Sequence, residues 1–172
     1  MSDLFQTTPP NQRRYGLVIV IGIIAGILSA LVKSGVETLL PPRDPDVIAP
    51  PVKLLMELGV NVQHEVYTYS EQVVNWGGNG VHILFSIVCA VIYCFASEIF
   101  PKVRLLQGLV FGYIAAFSAH GFILPALNLA TPLWDAGTDG IISEVVGTGL
   151  WAWSIEITRG YLYGKLSGAR SR

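Results

Sequence analysis

The chain has 172 residues, 52% of them apolar and only 13% charged, with a formal net charge of −1 and a mean hydropathy of +0.53. Soluble domains carry about 25% charged residues, so this composition excludes an ordinary soluble globule and points to a membrane protein. The near-neutral charge and the lack of a long basic stripe exclude nucleic-acid binding, and the length leaves room for about four crossings of roughly 20 residues each.

Met1 to Arg14 is short and polar, with Pro9-Pro10 and then Arg13-Arg14, and Tyr15 to Val32 follows without a charge. A basic flank ahead of an apolar run also suits an export signal. The run is long for a signal and no Ala-x-Ala site follows it, so an uncleaved helix over 15–33 is expected. Gly22, Gly26, Ser29 and Lys33 fall on one face of that helix, and small residues so spaced let helix backbones approach closely. Lys33 and Glu37 continue the face one turn apart. They suit either a surface ion pair with Lys33 reaching to the headgroups or a charge lining a wet cavity.

The hydrophilic part of the chain is the outer loop, 34–78. Leu40-Pro41-Pro42-Arg43-Asp44-Pro45 reads as an extended linker, since neither Pro nor the residue before it favours a helix. After Pro50-Pro51, the segment Val52 to Leu58 places Val52, Leu55 and Met56 on the apolar side of a short amphipathic helix, with Gly59 close by. Asn61 ends it, His64 reads as a solvated loop residue, and His64 to Val74 reads as a second short helix. Neither segment could enclose a core, so both are expected to lie on the membrane interface.

Asn75 to Gln107 is the organising stretch. No Asp, Glu, Lys or Arg occurs from Trp76 to Ser97, a length that fits one crossing, predicted over 79–99. Asn79 is positioned to cap the helix start and Pro101 to stop it. His82, Ser86, Cys89, Tyr93 and Ser97 share a stripe that lipid would reject, so other helices must cover it. Cys89 and Cys94 are five positions apart and face different directions. They read as packing residues rather than a disulfide.

Phe100 to Arg104 is a tight turn, and a third helix is predicted over 105–124, stopped by Pro125. Gly108, Gly112, Ala115 and Ala119 give it a second small-residue stripe. His120 lies in line with Tyr113 and reads first as an interhelical hydrogen-bond donor. Ala126 to Gly140 is a short loop, and the last helix is predicted over 141–160. There Glu144, Thr148, Trp151 and Ile155 share a face. Trp151 and Trp153, continued by Tyr161 and Tyr163, suit an interfacial aromatic belt. Arg159, Lys165, Arg170 and Arg172 form a basic tail. Eight Lys and Arg then fall on the side of the termini and three on the other, which places both ends in the cytoplasm. The whole reads as an all-α polytopic membrane protein, one domain over 1–172 with four transmembrane helices.

The wording of the segments in chain order carries a resemblance. It runs through Phe5-Gln6-Thr7, Arg13-Arg14-Tyr15-Gly16-Leu17, Leu40-Pro41-Pro42-Arg43, Val66-Tyr67-Thr68, Asn75-Trp76 and His82-Ile83. It continues through Phe85-Ser86-Ile87-Val88, Glu98-Ile99-Phe100-Pro101-Lys102, Gln107-Gly108-Leu109, Ser143-Glu144, Gly147 and Trp151 to Ile157. In these the chain resembles the YagU-like family of bacterial inner-membrane proteins. The resemblance implies an integral inner-membrane protein and carries over no catalytic or binding residue.

Phosphate loops, dinucleotide fingerprints, nucleophile elbows and zinc-protease motifs are absent. No enzymatic activity, cofactor or metal site is therefore expected. What remains is His82, Glu98, His120, Glu144 and Glu156, ionisable groups at or inside the membrane, where a functional role is the default reading. Glu98 and Glu156 end their spans near Lys102, Arg104 and Arg159 and read as structural pairs. His82 and Glu144 open theirs from the outer side, and they are expected to approach one another. The leading functional reading is a pH-responsive protein of acid stress or proton and ion handling. The alternative is a membrane scaffold that binds a partner. The lipid bilayer is the expected environment, and the small-residue stripes (Gly22, Gly26, Gly108, Gly112) admit a homo-oligomer.

Overall fold

The computed structural model describes residues 6–40, 48–69 and 72–168. The Pro41 to Pro45 part of the linker, with Arg170 and Arg172 of the tail, lies outside them. Helix α1 (Tyr15–Glu37) is followed by the short α2 (Pro50–Glu57), strands β1 (Val66–Tyr69) and β2 (Gln72–Asn75), and helix α3 (Trp76–Ile99). A 3-10 segment (Pro101–Gly108) leads to α4 (Leu109–Ser118), which continues through a π-helical turn (Ala119–Ile123) into α5 (Leu124–Ala126). A last 3-10 turn (Leu133–Asp135) precedes α6 (Thr138–Gly168).

Among the described residues three segments are helices long and apolar enough to cross a membrane: Tyr15–Glu37, Trp76–Ile99 and Pro101–Ala126. Helix α6 has the length, with 31 residues. It also carries Asp139, Glu144, Glu156, Arg159 and Lys165, which dilute its hydropathy.

Helix α1 is the central element, packed against α3 on one side and α6 on the other. The small-residue face explains why. A Cβ added to Gly22 would stand 2.7 Å from Val91 Cα, and one added to Gly26 would overlap the Ile87 backbone. The core between the three helices is Val18, Ile21 and Ala25 with Ala90, Tyr93, Cys94, Trp151, Ala152 and Ile155. Both cysteines are free and buried. Helix α4 packs on α6, where a Cβ on Gly112 would collide with the Ala152 side chain.

Several expectations need correction. The segment expected as a second loop helix is an antiparallel hairpin pairing Val66 with Asn75 and Tyr67 with Val74, a two-stranded addition to a mostly helical fold. Val66, Tyr67, Thr68, Val73 and Val74 are β-branched or aromatic, and such side chains lose less freedom on a pleated strand than in a helix. The cap of α3 is Asn75 rather than Asn79. Its Oδ1 accepts from the Gly78 amide at 2.8 Å, while its Nδ2 donates to the Val62 carbonyl at 2.5 Å.

The turn after Phe100 extends to Gly108, with Leu106, Gln107 and Gly108 all at positive φ, and α4 begins four residues later than expected. Trp151 does not belong to an aromatic belt: it is 4% exposed, and its indole N–H donates to Ser86 Oγ at 2.9 Å. Trp153, about 200° further round the helix, does face outward.

Candidate functional site

A cavity of about 440 Å³ opens at the end of the bundle that carries the 34–78 loop. All four long helical segments wall it: Lys33 and Glu37 come from α1, His82 and Phe85 from α3, His120 from the π-helical turn, and Glu144 from α6. Helix α2 and strand β2 border it on the loop side. Val52 of α2 fits against Gly78, where a Cβ would stand 2.7 Å from Val52 Cγ2.

Glu144 is the centre of the charged wall and is 8% exposed. Lys33 Nζ lies 3.4 Å from each of its carboxylate oxygens and 3.8 Å from Glu37 Oε1. Thr148, one turn along α6, donates its hydroxyl to Glu144 Oε1 at 2.6 Å. His120 Nε2 lies 3.6 Å from the same oxygen. A buried carboxylate is tolerated only with such partners. Lys33 reaches it across Gly147, where even a Cβ would touch the ammonium at 3.6 Å. The π-helical turn has its own cause. Pro125 has no amide to bond the Gly121 carbonyl, and the register slips in the turn before it, Ala119–Ile123. Such turns re-aim single side chains, and this one contains His120.

Beneath the cavity, the Trp151–Ser86 hydrogen bond and the apolar core separate it from a second polar region at the opposite end. There Tyr93 donates its hydroxyl to Glu156 Oε2 at 2.8 Å. Arg159 grips the same carboxylate with two bonds of 2.5 and 2.6 Å. Glu98 Oε1 accepts from the Arg14 amide at 2.6 Å and from the Tyr163 hydroxyl at 3.2 Å. Burial, then the adjacent Glu98 carboxylate, pushes the Tyr163 phenol upward from its ordinary value.

The five ionisable residues singled out in the sequence thus divide by end. His82, His120 and Glu144 line the cavity; Glu98 and Glu156 lie at the far end. The carboxylate Oε1 within 3.6 Å of a histidine meets His120, while His82 stands on the α3 wall. Lys33 as the partner of Glu144 was not legible from local sequence, because 111 positions separate them. The one available signal was its place on the Gly22–Gly26–Ser29 face, which turns it toward other helices. The Arg14 amide and Tyr93 as carboxylate donors left no local signal. Among the described residues no group of three His, Cys, Asp or Glu is placed to hold a metal.

The family model described as "Protein of unknown function (DUF1440)" matches residues 27–157, which include every wall of the cavity. The chain belongs to this family. It is also 40% identical to the inner membrane protein YagU of Escherichia coli (strain K12), over 91% of this chain and 89% of that one. No solved structure matches the chain at a significant level.

Proposed function

We propose that the chain is a multi-pass inner-membrane protein whose loop-side cavity changes charge with pH, serving acid stress or proton and small-ion handling. The observation that carries this reading is Glu144, held on the cavity wall within 3.4 Å of Lys33 and 3.6 Å of His120. Ionisable groups inside a span are costly and are kept where they act. On that wall Lys33 stands between Glu37 and Glu144, 3.8 and 3.4 Å away. An unperturbed imidazole gains its proton near pH 6.5. Protonation at His82 or His120 adds positive charge to the wall that holds Glu144.

The inner-membrane setting is supported by the YagU relative's name. The basic residues gathered on one side support cytoplasmic termini, with α6 as a fourth crossing beside the three apolar helices. An ion-conducting form requires a homo-oligomer, because four helices enclose no wide pore. The scaffold reading is favoured by a separate observation: the Glu98 and Glu156 networks tie three helices together and leave their carboxylates engaged.

Proton flux into liposomes under an imposed pH gradient separates the two. Glu144→Gln keeps the shape of the side chain and removes its titration, and it is expected to lower flux by at least about tenfold, the equivalent of ~1.4 kcal/mol. A variant that folds normally and keeps the wild-type pH response, in flux and in cell survival, leaves the scaffold reading alone.

A further inference from the structure

We infer that the cavity binds a net-neutral organic molecule with an apolar body and a carboxamide-like head group that both donates and accepts hydrogen bonds. This ligand belongs to the site on which the proposed function rests, and it follows from the geometry of the wall rather than from its titration.

The space for a body comes from small side chains. Ala115 and Ala116 of α4 and Ala119 of the π-helical turn border the cavity, where larger residues would fill it. About 440 Å³ remains, inside the range of about 300–1,000 Å³ that organic ligands occupy. Phe85, Leu129 and Trp151 add apolar surface to the same cavity. The indole N–H of Trp151 is already taken by Ser86 at 2.9 Å, so Trp151 offers a ligand ring surface and no donor. An apolar body is driven there by the removal of its surface from water.

The polar part of the wall selects the head group. Lys33 Nζ stands 3.4 Å from each oxygen of Glu144, whereas close charge-assisted N–H···O bonds measure about 2.7–2.9 Å. The two are in loose contact, an ammonium donor and a carboxylate acceptor side by side on the cavity wall. A carboxamide carries the complementary arrangement, a carbonyl acceptor beside an N–H donor. Its oxygen accepts from Lys33 while its nitrogen donates to Glu144, and the ion pair keeps both its charges. Glu144 Oε1 already takes the Thr148 hydroxyl at 2.6 Å and lies 3.6 Å from His120 Nε2. That crowding directs the amide N–H to Oε2.

The same pair disfavours a charged head group. An ammonium or a carboxylate seated beside Lys33 and Glu144 attracts one of them and repels the other, and it loses its hydration in doing so. A neutral head group leaves the charge of the wall as it is, whatever further partners Glu37, His82 and His120 hold.

The test uses the full chain in nanodiscs of zwitterionic lipid at about pH 8, where unperturbed histidines are neutral. Phenylbutanamide, phenylbutylamine and phenylbutyrate share one carbon skeleton and differ in the head group, and each is titrated calorimetrically, with empty nanodiscs to subtract partition into lipid. Saturable binding of the amide is expected, at least about tenfold tighter than that of either ion. Ala116→Phe should block it by filling the cavity while leaving the charged wall intact, and Ala115→Phe serves where the first variant folds poorly. Glu144→Gln, which leaves Lys33 without that counter-charge, should shrink the preference for the amide over the carboxylate. Absence of saturable amide binding overturns the ligand. Binding of either ion as tight as that of the amide overturns the neutral head group. Full affinity in a folded Phe variant places the binding elsewhere, and an unchanged preference in Glu144→Gln removes the head group from the ion pair. None of these outcomes bears on the pH reading, which proton flux in liposomes tests separately.

Discussion

At the scale of single residues, Trp151 and Ser86 show how a polar stripe is absorbed inside a bundle. The indole N–H and the serine hydroxyl satisfy one another at 2.9 Å with both residues buried. Trp151→Phe keeps most of the packing and orphans Ser86. It is expected to cost about 1–3 kcal/mol, read as a lower melting temperature in detergent, with part of the loss recovered by adding Ser86→Ala. Tyr163 offers a prediction in pH. Its phenol is raised by burial and by Glu98, so the neutral form is favoured by the fold. The stability this contributes is present below the ordinary tyrosine range near pH 10 and is lost as pH rises through the higher folded value. Ultraviolet difference titration of wild type against Tyr163→Phe should place this tyrosinate late. Residue types were readable at both positions, but partners were not. Trp151 looked like belt because a second Trp stood two places away, and only packing distinguishes the face that meets α3 from the face that meets lipid.

At the scale of elements, the close crossing of α1 and α3 depends on Gly22 and Gly26. Gly26→Leu would drive a side chain into the Ile87 backbone, and the helices cannot separate without opening the core around Ala25 and Ala90. The expected outcome is loss of most folded protein on size-exclusion chromatography, whereas Gly16→Leu, with nothing near it, should be neutral. The contact was legible because period and residue size were both local information. The hairpin was not, since its strands are only four residues each and its alternation is broken by the turn. The π-helical turn at His120 was harder still. Pro125 marked a disturbance, but where the extra residue settles depends on the fit of α4 against α6.

At the scale of the whole molecule, the proposed four-crossing arrangement, with α6 beside the three apolar helices, predicts sidedness. Cys89 and Cys94 are buried, so single cysteines introduced at Asn61 and Asp135, both exposed, can be labelled against a quiet background. An impermeant maleimide should reach both from outside intact inner-membrane vesicles of right-side-out orientation and neither from the cytoplasmic face. Labelling of the two on opposite sides would remove α6 from the membrane. Three of the apolar helices were legible from charge and hydropathy. The pairing across the bundle was not, because ion pairs formed over 111 positions carry no local period.

Helix α6 also bears on how the protein is made. A lone helix with a central Glu or Arg enters the bilayer at a penalty of about 2.5–3.5 kcal/mol per charge. In α6 the compensating groups belong to segments synthesised long before, Lys33 of α1 and Tyr93 of α3. The first helix in turn is closed by late arrivals, with Arg14 donating to the Ser167 carbonyl. The ribosome therefore releases a chain whose first and last helices complete one another. On the proposed four-crossing arrangement, insertion of the final segment is a docking reaction onto a waiting α1–α3 pair, and a nascent chain stalled before Thr138 leaves Lys33 with Glu37 but without Glu144.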